Sequence, residues 1–163
     1  MNLREDKGWT YGARSYFNSD DDPGPYTASA GVRADATAGA VSEFMKEITN
    51  YKQDGITDEE LTFMRNSIGQ RDARSYETPR QKASFLSRIV HYDLDKSYVD
   101  EQTKIIKTIS KEEINALADK TLQIDNMNIV VVGDKASNID ALNELGYEIV
   151  ELNEKGEVKA STN

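Results

Sequence analysis

The chain has 163 residues, of which 37% are hydrophobic, and this size suits one compact folded domain. Its formal net charge of −9 argues against a nucleic-acid partner, because such partners are bound through basic surfaces that displace counterions. No stretch approaches the roughly 20 consecutive apolar residues that a membrane span needs. The lack of cysteine excludes a disulfide framework and a thiolate zinc site.

Two strands are predicted near the N-terminus. Segments 9–18 and 26–33 are rich in aromatic, Thr and Val residues, and each is short for a typical helix. The sequence DDDPGP between them favours a turn, so an antiparallel hairpin is expected. We interpret Asp20, Asp21 and Asp22 as a solvated loop tip, because the following Pro-Gly-Pro breaks the ligand spacing of a calcium-binding EF-hand loop.

A block of five helices is predicted between residues 37 and 122. The first ends near Gly55, and the fourth begins at about Ser97. The other three begin at capping boxes, in which Ser or Thr is followed three residues later by Glu or Gln: Thr57 with Glu60, Thr78 with Gln81, and Ser110 with Glu113. The third helix is expected to bury Phe85, Leu86, Ile89 and Val90, and the second and fifth carry apolar residues at helical spacing, including Leu61, Leu117, Ala118 and Leu122.

The C-terminal part returns to a strand pattern. The β-branched run NIVVVGD at 128–134 predicts a central strand, Ser137 is expected to cap a brief helix, and residues 147–152 are expected to form a last strand. Gly133 is interpreted as a strand-ending turn, since no glycine-rich nucleotide motif surrounds it. The order of elements predicts an α+β fold: a mixed or antiparallel sheet, made of the N-terminal hairpin plus C-terminal strands, covered on one face by helices.

Few residues could carry chemistry. A single histidine, His91, cannot by itself form a zinc site with several nitrogen ligands, and it is interpreted as an imidazole at a helix C-terminus. The remaining candidates are Arg4 and Tyr11, which stand seven residues apart across a predicted turn. A guanidinium and a phenol near a sheet edge can form an ordinary ion pair with Glu5 and a half-buried aromatic, or they can belong to a functional site. The spacing alone does not decide between these interpretations.

The stretch LREDKGWTYGA resembles the LRE-x-x-G-x-x-Y segment of the pitrilysin, insulin-degrading enzyme and mitochondrial processing peptidase family. Three later stretches, YETPRQKASFLSRIVHYDLDKSYVD, ISKEEINALADKTL and NMNIVVVGDK, occur in the order seen in the last domain of bacterial members. The resemblance covers nearly the whole chain. It implies that residues 1–163 form one incomplete C-terminal domain, truncated on its N-terminal side, from the periplasm or cytoplasm of a bacterium.

The resemblance also implies a function. In this family zinc is held by an H-x-x-E-H motif in one half of the enzyme, and this sequence lacks that motif, so zinc is expected in the parent protein or a partner subunit. This chain alone is expected to contain no catalytic residue, while Arg4 and Tyr11 match the family's substrate-contacting pair. The expected partners are the zinc-bearing half, a peptide substrate, and a second copy through the truncated sheet.

Two other functions stay open. The chain could be a non-proteolytic structural relative of the same fold, as in the core subunits of respiratory complexes. It could also be an unrelated acidic interaction domain, for which helices with exposed Glu and Lys would be sufficient.

Overall fold

In a computed structural model of the protein, the described residues are 2–19, 22–74, 77–95 and 97–159. They divide into two compact units. The first, called here the hairpin unit, contains the described residues of Met1–Phe17, Tyr26–Glu47 and Met127–Asn163. The second, the helical unit, contains those of Asn18–Pro25 and Ile48–Asn126. Asp20 and Asp21 lie outside the described residues, whereas Asp22 is exposed.

The predicted N-terminal hairpin is confirmed. Strands β1 (Thr10–Ser19) and β2 (Pro23–Val32) pair in a two-stranded antiparallel sheet. The rings of Phe17 and Tyr26 are 5.0 Å apart between centroids, a separation typical of a stabilising cross-strand aromatic pair.

The helices account for most of the remaining structure, and together with the hairpin they confirm the predicted α+β class. Among the described residues, no helix is both long enough and apolar enough to cross a membrane. The helices are α1 (Thr37–Asp54), α2 (Asp58–Arg74), α3 (Pro79–His91), α4 (Tyr98–Thr108), α5 (Lys111–Thr121) and α6 (Lys135–Asn143), with short 3₁₀ turns at Ala34–Ala36 and Ile124–Asn126 and a π-helical turn at Asn2–Asp6.

All three predicted capping boxes form. In each of them the Ser or Thr hydroxyl accepts the backbone N–H three residues later, and the side chain at that later position accepts the N–H of the Ser or Thr. Each box satisfies two amides that a helix start leaves unpaired. The boxes therefore set the first residues of α2, α3 and α5, as the sequence predicted.

Basic side chains cap the C-terminal ends of two helices in the helical unit. Lys52 Nζ donates to the carbonyl oxygens of Asp119 at 3.0 Å and Leu122 at 2.9 Å, at the end of α5. Arg65 from α2 donates to the carbonyl oxygens of Ile106 and Ile109, at the end of α4. Cations at these positions satisfy unpaired carbonyls and complement the helix dipole.

Among the described side chains, the buried apolar residues of each unit are few. Leu3, Ala36 and Ala40 are buried in the hairpin unit, and Ile48, Leu61, Ala118 and Leu122 are buried in the helical unit. Three of them, Leu61, Ala118 and Leu122, are apolar residues that the sequence places at helical spacing in the second and fifth helices.

The predicted burial of the apolar side of α3 is wrong for two of its residues. Leu86 is 61% exposed and Val90 81% exposed. Periodicity identifies the apolar arc of a helix, but it does not show how much of that arc its neighbours cover. Leu117, an apolar residue at helical spacing in α5, is 55% exposed for the same reason.

The predicted C-terminal strands are the main correction to the fold. Residues 128–134 form no strand, and Val130 and Val132 are 80% and 95% exposed. A β-branched run becomes a strand only when another strand satisfies its backbone, and the described residues supply none here. Of the predicted last strand, Leu152 alone pairs, in an antiparallel bridge with Val158.

The start of α6 also differs from the prediction. Asp134, not Ser137, is the N-cap residue, and its carboxylate accepts the backbone N–H of Ser137 at 2.9 Å. Asn138 is buried, and its side chain donates to the carbonyl oxygen of Asp134 at 2.8 Å. An ion pair between Lys135 and Glu151 links the first turn of α6 to the C-terminal bridge.

Candidate substrate-contacting site

The structure places Arg4 and Tyr11 in solvent, each beside a buried neighbour. Arg4 is exposed in the turn Asn2–Asp6 and follows the buried Leu3, while Tyr11 is fully exposed in β1 and follows the buried Thr10. Among the described residues neither side chain forms a hydrogen bond or an ion pair. The predicted alternatives for these residues, an ion pair with Glu5 and a half-buried aromatic, do not occur. Both side chains are therefore available to a ligand.

A backbone hydrogen bond brings the two segments together. The N–H of Trp9 donates to the carbonyl oxygen of Leu3 at 2.9 Å, which closes a loop over residues 3–9. Gly8 has a φ of +61°, in the left-handed region that glycine adopts without strain, and this conformation lets the chain turn back into β1. Arg4 and Tyr11, seven residues apart in sequence, thus extend from adjoining backbone.

The start of β1 is fixed by its contacts with β2. The Thr10 hydroxyl lies 2.7 Å from the carbonyl oxygen of Gly31 and accepts the N–H of Gly12 at 3.1 Å. The carbonyl oxygen of Trp9 accepts the N–H of Arg33 at 3.0 Å. These bonds hold the backbone on both sides of Tyr11, so its position is set by the hairpin.

Two contacts anchor the 3–9 loop to the first half of α1. Lys7 Nζ lies 3.1 Å from the carboxylate of Glu43, and the indole ring of Trp9 lies directly against Gly39. Lys7 Nζ is also 4.7 Å from the centroid of the Trp9 ring, a favourable cation–π distance. Gly39 and Glu43 were not predicted from the sequence, because a contact between residues as far apart as Lys7 and Glu43, 36 positions, leaves no local pattern.

The residue types determine what this site can do. A guanidinium is always protonated and offers five N–H donors, and a phenol offers one O–H donor. Side chains of these types bind carbonyl oxygens and stabilise negative charge that develops on them. Neither group needs to gain or lose a proton for that role.

The described residues provide no set of metal ligands. Within the described residues, no group of three or more His, Asp or Glu side chains is placed to hold a metal ion. His91 is exposed at the last position of α3, and its ring lies edge-on to Tyr92 with centroids 4.5 Å apart. This position at a helix C-terminus agrees with the sequence interpretation.

The comparisons with known proteins bear on the same segment. Residues 1–68 match the sequence model of a family described as the peptidase M16 inactive domain. The match covers 68 of the 163 residues, which is less than half of the chain. No curated protein matches the chain.

The fold is similar to that of a solved structure with the same description. The chain resembles the crystal structure of the peptidase M16 inactive domain from Pseudomonas fluorescens, with a TM-score of 0.68 over 76% of this chain and 22% sequence identity. It spans 29% of the length of that protein. The expected resemblance to an M16-type peptidase C-terminal domain is thus supported by the family model over residues 1–68 and, for the fold, by this structure. All the residues of the candidate site described above lie within the 68 matched residues.

Proposed function

We propose that this chain is a non-metal-binding C-terminal portion of a zinc-dependent M16 metalloendopeptidase, in which Arg4 and Tyr11 contact the substrate peptide. The observation that carries the proposal is that both side chains are exposed on adjoining backbone, inside the segment that matches the M16 inactive domain. A peptide backbone in this position would accept hydrogen bonds from the guanidinium and from the phenol.

The side chains present indicate which part of the enzyme would carry the zinc ion. One histidine and no cysteine do not fit a zinc centre, so the zinc ion and its general base belong to the other half of the enzyme, on the same parent chain or on a separate subunit. Arg4 and Tyr11 would hold the peptide near the scissile carbonyl and stabilise the oxyanion that forms there. Because such contacts involve the substrate backbone, cleavage would tolerate many peptide sequences.

Zinc-dependent peptidase activity of this chain assembled with its zinc-bearing half tests the proposal. Arg4→Ala and Tyr11→Phe each remove one donor, and loss of such a donor costs about 10² to 10³ in rate. Arg14→Ala and Tyr16→Phe are matched controls, because both residues are exposed on β1, and these variants should retain full activity. Full activity of Arg4→Ala and Tyr11→Phe would contradict the substrate-contact role.

A non-proteolytic assembly role is the second candidate, and the exposed apolar residues favour it. Val130 and Val132 lie on a segment that forms no strand, and Leu152 and Val158, which form the C-terminal bridge, are 51% and 67% exposed. Exposed β-branched segments of this kind pair with another chain, which could be a peptidase half or a second copy. Sedimentation of the isolated chain shows whether a second copy is the partner, because it measures self-association. If this segment mediates self-association, Val132→Lys should abolish it.

A further inference from the structure

The 3–9 loop has little internal structure to hold it in place. The Trp9 to Leu3 hydrogen bond closes the loop, and the π-helical turn inside it has five residues, Asn2–Asp6. A helical turn of this length does not persist by itself in water, because helix nucleation is unfavourable and one turn forms too few backbone hydrogen bonds to offset it. The position of Arg4 therefore depends on contacts that the loop makes elsewhere.

Those contacts converge on one face of α1. The Lys7 side chain is 30% exposed and that of Glu43 15% exposed, so their ion pair is partly shielded from solvent and from screening by salt. The same ammonium group lies over the indole of Trp9. A β-carbon on Gly39 would lie 2.7 Å from the Cη2 atom of that indole, which shows that the ring is seated on the helix backbone.

We propose that Lys7, Trp9 and Glu43 are positioning residues that hold the 3–9 loop on α1 and thereby fix Arg4 relative to Tyr11. This inference rests on the proposed function, because it assigns a purpose to the loop that carries Arg4. The three residues do not touch substrate. They act by restricting the loop, so that Arg4 meets a bound peptide without first having to be ordered.

The single tryptophan of the chain makes this arrangement measurable. Acrylamide quenching of Trp9 fluorescence reports directly whether the indole stays on Gly39. Peptide binding is followed separately, by the fluorescence polarisation of a fluorescein-labelled neutral decapeptide that lacks tryptophan. We expect Lys7→Met and Glu43→Gln to increase quenching and to weaken peptide binding by roughly threefold to tenfold.

Charge reversal distinguishes positioning from general destabilisation. The double variant Lys7→Glu with Glu43→Lys restores the ion pair in the opposite sense, and it should recover most of the quenching protection and most of the peptide affinity. Lys7→Arg should stay close to wild type. Lys111→Met is the matched control, because Lys111 forms an ion pair of the same 3.1 Å length with Asp58 in the helical unit, and it should change neither readout.

The outcomes separate this inference from the proposed function. Increased quenching with unchanged affinity, while Arg4→Ala still weakens binding, would overturn the positioning role and leave the substrate contact standing. Failure of the reversed pair to restore affinity would also overturn it. If Arg4→Ala and Tyr11→Phe leave peptide affinity unchanged, the substrate contact itself is wrong, and the positioning role is rejected with it.

Discussion

The carboxamide of Asn115 lies against Gly55 so closely that a β-carbon on this glycine would sit 2.2 Å from Asn115 Nδ2. The oxygen of the same carboxamide accepts the N–H of Ile56 at 3.0 Å. Gly55 has a φ of +70°, and its N–H donates to the carbonyl oxygen of Tyr51, which ends α1. The end of α1 is thus tied to α5 through one side chain.

Gly55→Ala should therefore be strongly destabilising. The left-handed backbone costs an alanine about 1–2 kcal/mol, and the clash with Asn115 should add roughly 1–3 kcal/mol. Gly146→Ala is the control, since Gly146 has a φ of +79° but no atom of the described residues lies within 4 Å of the added carbon, so only the backbone cost applies. Urea unfolding measures both. Equal losses in the two variants would show that Asn115 moves aside freely.

Arg65 should contribute more to stability than an exposed arginine does. Its guanidinium donates to the Ile106 carbonyl oxygen at 3.2 Å and to that of Ile109 at 2.6 Å. Arg65→Met keeps most of the apolar stem and removes these charge-assisted bonds, so the free energy of unfolding should fall by about 1.5–3 kcal/mol. Arg65→Lys should recover only part of the loss, because an ammonium group lacks the planar fork.

Arg33→Met provides the comparison for Arg65. The Arg33 side chain bonds Asp35 in a two-pronged pair, but the two side chains are 59% and 70% exposed. Exposed pairs of this kind often contribute nothing measurable to stability. If Arg33→Met lowers the free energy of unfolding as much as Arg65→Met does, then burial does not explain the contribution of the Arg65 hydrogen bonds to stability.

Local signals in the sequence were sufficient for most of the elements. The three capping boxes involve residues three positions apart, and the hairpin follows from a turn sequence between two short apolar runs, so each can be read from a short window. The failures have a different origin. The run 128–134 has the composition of a strand, but strand formation depends on a partner, and no property of the run itself shows whether one is present.

The candidate site shows the same difference between local signals and contacts that form only on folding. Arg4 and Tyr11 were found because the LRE-x-x-G-x-x-Y pattern is local, whereas Glu43 and Gly39 lie on a helix that the loop reaches only after folding. Long-range contacts of this kind are set by packing, and packing is not encoded in the spacing of any one segment. The exposure of Leu86 and Val90 was not predicted for a related reason, because the apolar arc of a helix does not show how much of it neighbouring elements cover.

Gly39→Ala should weaken the contact between Trp9 and α1. An alanine normally stabilises a helix interior by roughly 0.5–1 kcal/mol relative to glycine, but here the added carbon meets the indole and should cost about 1–3 kcal/mol. Gly69→Ala in α2 is the matched control, since no described neighbour lies within 4 Å of its added carbon, and it should be stabilising. A stabilised Gly39→Ala variant with unchanged Trp9 fluorescence would contradict the close contact.

The start of α6 should respond to acid through Asp134. Hydrogen bonds from the Ser137 hydroxyl, and then from its backbone N–H, hold the pKa of Asp134 below its usual value. Because the folded-state pKa is lowered, the charged carboxylate stabilises the fold above its unfolded pKa of about 3.9, and this contribution is lost as pH falls through the folded-state value.

Replacement of Ser137 by alanine tests that cause directly. Ser137→Ala removes the hydroxyl donor, so the pKa of Asp134, followed by NMR titration of its carboxyl carbon, should rise toward its usual value, while the remaining backbone bond keeps part of the shift. Asp134→Asn keeps an N-cap side chain that does not titrate, so its stability difference from wild type should shrink as pH falls below about 4. An unchanged Asp134 pKa in Ser137→Ala would show that the hydroxyl bond does not control the charge at this cap.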